Sequence, residues 1–211
     1  HEEEIHESDR TPGVGLRNIR DSGRLQYHAG VAMRSLIDHL REHALRTDGP
    51  FTLRSGEVSP WYLDARRTTF SGTGAWLVGE AVLDLLENEV EAVGGMTMGA
   101  DPIAVATAMM ASSQGRPLDA FSIRKKTKDY GVGGRLVGPV TSRTRVAILE
   151  DTTTTGGAAL EAADAAIAAG LEVVQAIALV DRSGGKAARE FTARGIPFKA
   201  LVKPSDLGVE L

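Results

Sequence analysis

Cysteine is absent from this 211-residue chain, which removes a disulfide frame and any thiolate chemistry. Long apolar runs are missing too: none approaches the length needed to span a bilayer, and no signal peptide is visible, so a soluble cytoplasmic protein without membrane contact is expected. There is no excess of positive charge. A formal net charge of -4 argues against broad nonspecific contact with nucleic acid. Two phosphate-binding signatures are also lacking, since no Gly-rich run carries the Lys of a Walker loop and no G-x-G-x-x-G follows a strand. What the chain does have is 42% hydrophobic content, enough at this length to bury one sizeable core, and a single domain is the default.

The most informative stretch is Arg145-Val-Ala-Ile-Leu-Glu-Asp-Thr-Thr-Thr-Thr-Gly-Gly157. Val146 to Leu149 is a short, partly β-branched apolar run of the kind that forms a buried central strand. Ala158 to Ala169 is alanine-rich, with Leu160 and Ile167 for packing, and Gly170 supplies a helix stop. A second apolar run, Val173 to Val180, completes a βαβ unit, so the sheet is predicted to be parallel there. Ligands in such sheets sit beyond the carboxyl ends of the strands, where Glu150 to Gly157 falls. A turn entering a helix offers backbone N–H groups and the positive end of the helix dipole to a phosphate. Gly156 and Gly157 permit close approach, and the hydroxyls of Thr152 to Thr155 can add donors. Carboxylates would repel that phosphate. Glu150 and Asp151 therefore suit neutral hydroxyls beside it, such as the 2- and 3-hydroxyls of a ribose whose 5-phosphate occupies the turn. On the local pattern alone, an ordinary αβ turn with capping threonines and solvated acids stays open.

A second feature is cationic. Leu118 to Arg124 is predicted as a strand, after which Arg124, Lys125, Lys126, Lys128 and Arg135 crowd among Gly131, Gly133 and Gly134. Such a segment suits a mobile lid that closes over an anionic leaving group, although a lone basic run is also compatible with a solvated loop. Between these features, helices are predicted over Val31–Arg46, with Asp48-Gly49-Pro50 as the stop, and over about Gly74–Asn88. A strand is predicted over Ala92–Met98, and another helix opens at Gly99-Ala-Asp-Pro102. Phe51 to Asp64 has the pattern of a hairpin around Ser55-Gly56, with Trp61 and Leu63 as core. His39 and His43 stand at metal-ligand spacing but lack an acid or thiol partner, so solvated surface is the reading. Residues 1–30 are polar at the start, begin without Met, and are punctuated by Pro12, Gly13 and Gly15. They are expected to form a mobile arm on a trimmed chain, with 31–211 as the single domain.

Ile148-Leu-Glu-Asp-Thr-Thr-Thr-Thr-Gly-Gly157 resembles the ribose-phosphate signature of the type I phosphoribosyltransferases. Phe51–Arg66, Val93–Ile103 and Ile123–Gly131 narrow the resemblance to the orotate phosphoribosyltransferase family in its actinobacterial form, from about Val31 to the C-terminus. The resemblance implies an α/β fold with a central, mostly parallel sheet flanked by helices, a small hood and a flexible lid. It implies magnesium-dependent transfer of ribose 5-phosphate from phosphoribosyl pyrophosphate to N1 of orotate, the metal being held through substrate rather than by direct protein ligands. It assigns Arg54 to the phosphorylated substrate, Tyr62, Thr154 and Arg182 to orotate, and Arg124, Lys125 and Lys128 to pyrophosphate. Lys128 is then the lid cation nearest the breaking bond, and Tyr130 stands where many members have His. Met98-Gly99 stands where some have Lys, which leaves pyrophosphate contact in the Thr97–Asp101 loop mainly to the backbone. A homodimer sharing lids between sites is implied as well. A phosphoribosyltransferase for another base, or a regulator sensing phosphoribosyl pyrophosphate on the same fold, remains an alternative.

Overall fold

A computed structural model describes residues 29–52, 56, 58–128 and 134–210. In chain order its elements are α1 (Ala29–His39), a π-helical turn (Leu40–Ala44), β1 (Leu45–Arg46), β2 (Phe51–Thr52), β3 (Val58–Ser59), β4 (Tyr62–Leu63), α2 (Arg66–Thr69), α3 (Gly72–Leu85) and β5 (Ala92–Met96). There follow α4 (Ala100–Ser113), β6 (Asp119–Lys128), β7 (Gly134–Val137), β8 (Arg145–Thr153), α5 (Gly157–Ala168), β9 (Glu172–Asp181), α6 (Lys186–Ala193), β10 (Phe198–Val202) and a 3-10 turn (Pro204–Leu207).

The main sheet has the order β10-β9-β8-β5-β6-β7. All its pairings are parallel except that of β7 with β6. Successive residues of β8 explain why that strand is apolar without alternation. Ala147 and Leu149 pack with Leu77, Val78, Ile103 and Ile177 on one face of the sheet. Val146 and Ile148 pack with Ala159, Ala162, Ala166 and Phe191 on the other. A strand covered on both faces has little room for a polar side chain until it runs past the helices that cover it, as β8 does at Glu150 while still paired with β9.

From β5 the chain crosses through α4 to β6 on one side. From β8 it crosses through α5 to β9 in the opposite direction. Right-handed crossovers running in opposite directions must lie on opposite faces, which is how α4 joins the first core cluster and α5 the second. The carboxyl ends of β5 and β8 therefore meet at the point where the strand order reverses, the usual ligand position in an open α/β sheet.

Several boundaries differ from the sequence reading for nonlocal reasons. The helix expected to reach Arg46 stops earlier, because Leu45 and Arg46 pair antiparallel with Leu63 and Tyr62. Phe51–Thr52 and Val58–Ser59 form the expected hairpin. The strand expected to end at Arg124 runs on to Lys128 because β7 returns beside it, pairing Lys128 with Gly134. His39 is not solvated surface. Its ring nitrogens lie 3.2 Å from Thr68 Oγ1 and 3.3 Å from Ser71 Oγ, and burial is the main cause holding its pKa below the ordinary value. That ring therefore ties α1 to the start of α3, where Ser71 Oγ also accepts the Gly74 N–H at 3.0 Å. The expected arm lies outside the described residues apart from Ala29 and Gly30, which open α1.

Candidate active site

The acids emerge where β8 leaves the core. Glu150 is largely enclosed, and its carboxyl is pushed up to about 8, first by burial, then by the Asp151 charge and a hydrogen bond with Asp151, with Lys125 opposing. Asp151 Oδ1 accepts the Thr152 N–H at 2.7 Å. Glu150 Oε2 is buried with no hydrogen-bond partner among the described residues. Near neutral pH the raised Glu150 carboxyl thus keeps its proton, with acceptor oxygens left for an incoming hydroxyl.

The turn after the acids is organised by its own threonines. Thr153 is 3% exposed, and its Oγ1 accepts the Gly156 N–H at 2.9 Å. Thr155 Oγ1 accepts the Gly157 N–H at 3.3 Å. Thr154 and Thr155 are exposed on the rim. Gly156 adopts φ 84°, a left-handed conformation that favours glycine, and this brings the chain into α5. The hydroxyl of Thr153 thus shapes the turn from inside rather than facing out as a donor, while Thr154 and Thr155 stand where a ligand can reach them.

Across the strand junction, the loop after β5 presses on the acids. A Cβ at Gly99 would lie 2.8 Å from Asp151 Oδ1. In the same loop Thr97 Oγ1 donates to Asp101 Oδ2 at 2.6 Å, Asp101 Oδ1 is buried without a partner among the described residues, and Met98 is exposed. The N-termini of α4 and α5 therefore open on one gap from opposite faces of the sheet, with the acids between them.

The third wall comes from the hood and the end of β9. Tyr62 is exposed on β4, its ring 5.9 Å from that of Phe51, while Trp61 and Leu63 are buried as expected. Arg182 follows β9, and its backbone N–H donates to Thr153 O at 2.8 Å. Its guanidinium lies over the Trp61 ring, 3.8 Å from the centroid. Burial lowers its pKa, against the opposing influence of Tyr62.

Of the residues singled out from sequence, the structure brings Glu150, Asp151, Thr152 to Gly157, Lys125, Tyr62 and Arg182 around this gap. Arg124 and Lys125 lie on β6, as does the backbone of Lys128, whose side chain is outside the described residues. Arg54 and Tyr130 are also outside them. Arg135 is not a free lid cation: Nε donates to Arg124 O at 2.6 Å, and its Nη2 pairs with Glu161 of α5. Two neighbours of the site were missed from sequence. Arg66 pairs with Asp64 at 2.8 Å, the main cause raising its pKa, and Asp151 adds to that rise. The second is the contact of Trp61 with Arg182. The Asp64–Arg66 spacing could have suggested the first, but nothing local signals the second.

An open parallel sheet with an acid pair, a Thr-Gly turn and a glycine loop at its switch point defines a type I phosphoribosyltransferase fold. The chain matches no protein-family profile. It is 41% identical over 177 residues to an orotate phosphoribosyltransferase of Streptomyces avermitilis, covering 83% of this chain and 97% of that one. It is 43% identical over 182 residues to that of Rhodopirellula baltica, covering 83% and 93%. Among solved structures, Mycobacterium tuberculosis orotate phosphoribosyltransferase in complex with Fe(III) dicitrate superposes with a TM-score of 0.75 at 35% identity, over 84% of this chain and 99% of that chain. The same enzyme in complex with 5-phospho-alpha-D-ribosyl 1-diphosphate gives 0.70 at 32% identity, over 84% and 99%. The chain belongs to the orotate phosphoribosyltransferase family.

Proposed function

We infer that this protein transfers ribose 5-phosphate from phosphoribosyl pyrophosphate to N1 of orotate, giving orotidine 5-phosphate and pyrophosphate in pyrimidine nucleotide synthesis, a cytoplasmic activity. The observation that carries this reading is the acid pair set between two helix N-termini, with a desolvated Arg182 on the third side. The Thr152–Gly157 turn takes the 5-phosphate, and Glu150 and Asp151 accept from the ribose hydroxyls. The Thr97–Asp101 loop backbone, Arg124, Lys125 and Lys128 face pyrophosphate, with Arg54 and Tyr130 closing on the same ligand. Tyr62 and Thr154 border the flat base, and Arg182 meets its carboxylate, which a planar guanidinium matches.

The bond from C1 to the pyrophosphate oxygen loosens first, and its electron pair leaves with pyrophosphate. Positive charge then grows on the sugar beside Asp151, and the ring nitrogen closes on C1 as its proton passes to a departing pyrophosphate oxygen. Preorganised charge of this kind lowers the barrier without reorganisation. Magnesium would be carried mainly by the substrate, where it would offset pyrophosphate charge; the buried Asp101 Oδ1, without a hydrogen-bond partner among the described residues, would suit a hydrated cation. Residues 31–211 act as one catalytic domain, supported by packing on both faces of a single sheet. Assembly as a homodimer with shared lids belongs to the same reading, and exposed Val105 and Met109, one turn apart on α4, offer apolar surface to a second copy.

The test mixes the protein with magnesium, phosphoribosyl pyrophosphate and each free base, and follows pyrophosphate. Orotate alone should support rapid release. Equal or better turnover with uracil, hypoxanthine or adenine would remove the orotate assignment and leave the fold intact.

A further inference from the structure

Trp61 is 4% exposed, and by sequence it is a core residue. Its surroundings are more specific than a core requires. The indole Nε1–H donates to the Glu210 carbonyl at 2.7 Å, which ties the ring to the C-terminal segment. Ser59 Oγ donates to Trp61 O at 2.7 Å and accepts the Trp61 N–H at 3.4 Å, which fixes the backbone on the same residue. Ring and backbone are therefore held independently of each other. One face of this fixed ring carries the Arg182 guanidinium, 3.8 Å from the centroid. Arg182 is also pinned at its backbone, through the N–H that donates to Thr153 O. Its Nε is buried with no hydrogen-bond partner among the described residues.

A guanidinium lying on an aromatic face has one side covered, and its N–H groups point outward in the plane of the stack. An arginine side chain loses considerable rotamer freedom when it binds a carboxylate, and a stack formed beforehand removes part of that loss. We propose that Trp61 is a positioning residue for the base site: its indole face, held by Glu210 and Ser59, fixes the plane of Arg182 so that the donor edge is presented to the base carboxylate. This rests on the reading of Arg182 as the carboxylate ligand. It also makes the segment around Glu210 part of base selection, since its carbonyl orients the indole.

The test compares W61L, W61F, R182A and the double variant W61L/R182A in steady-state assays. W61L keeps apolar bulk and removes the aromatic face. It should raise the orotate KM on the order of fivefold to tenfold, as expected from losing one partly buried cation–π contact, with kcat and the KM for phosphoribosyl pyrophosphate within about twofold. W61F keeps a face without the Nε1–H and should be intermediate. R182A should raise orotate KM more than W61L does, and adding W61L to it should change orotate KM no further, because the effect passes through Arg182. An unchanged orotate KM in folded W61L, while R182A is impaired, overturns the positioning role and leaves the base-site reading standing. Additive effects in the double variant, or W61F as damaging as W61L, overturn it too. An unimpaired R182A removes the base-site reading itself, and the proposal with it. Should W61L not fold, the intact enzyme carries the test through the Arg182 Nε–H proton resonance, identified by its loss in R182K. That proton should show the indole ring-current shift both free and saturated with orotate, and loss of the shift on saturation overturns the proposal.

Discussion

Gly99, in the loop after β5, and Asp151, near the end of β8, lie against each other: a Cβ added at Gly99 would lie 2.9 Å from the Asp151 Cγ and 2.8 Å from Oδ1. Even the smallest side chain must therefore displace either the loop or the carboxylate. Gly99→Ala should fold normally, because the contact lies at the mouth of the site outside the core. It should lower kcat at least tenfold, since misplacing a reacting group by a fraction of an ångström is costly. A thermal melt beside a kinetic assay checks both halves; wild-type kcat would mean that Asp151 moves aside freely.

Asp151→Asn keeps the shape and the Thr152 contact but removes charge beside the sugar. A fall in kcat of order a hundredfold is expected, with a smaller change in orotate KM, by analogy with losing one preorganised electrostatic group. Near-normal kcat in the folded variant would take that role from Asp151.

Glu150 sets a pH dependence on folding. Its folded pKa is raised from 4.5 to about 8, chiefly by burial, so between these values the folded protein keeps a proton that the unfolded chain releases. The stability this contributes is fully present below about pH 4.5 and is lost as pH rises through about 8. The ligand-free protein should lose Tm between about pH 4.5 and 8, and Glu150→Gln should flatten much of that slope. Calorimetry on both proteins decides the matter, and parallel slopes would refute it.

Lys128→Ala should cut kcat while leaving binding of the free base little changed, because its charge matters most as pyrophosphate departs. Mixed with Asp151→Asn under verified subunit exchange, it should regain activity if lids cross between subunits, since one site of the heterodimer is intact. No recovery would place the lid within its own chain. Tyr130→Phe should cost only modestly if the hydroxyl merely supports closure; a loss matching Lys128→Ala would give the hydroxyl a part in the chemistry.

What the sequence revealed and what it hid divide along one physical line. Val146 to Leu149 announced a central strand because burial on both faces demands an unbroken apolar run. Gly156 and Gly170 marked the ends of α5 because both need positive φ. The pairing of Leu45–Arg46 with Leu63–Tyr62 and the stack of Arg182 on Trp61 left no such mark, since each depends on a partner brought near only by the fold. The extension of β6 to Lys128 was hidden differently. Its cations resemble a solvated loop, and only the return of β7 gives them a ladder. His39 carries no local mark of its burial, because the hydroxyls that meet it come from elsewhere in the chain, Thr68 on α2 and Ser71 at the N-cap of α3.

The reversal of strand order between β5 and β8 also divides the substrate. In the proposed reaction, pyrophosphate is held by the half of the chain that leaves β5 through α4 and β6, and the sugar phosphate by the half that leaves β8 through α5 and β9. Breaking the bond at C1 then shares the two products between two separate sections of polypeptide. On the same reading the cations of β6 belong to the pyrophosphate section alone, and the nucleotide is left to the turn that first received its phosphate.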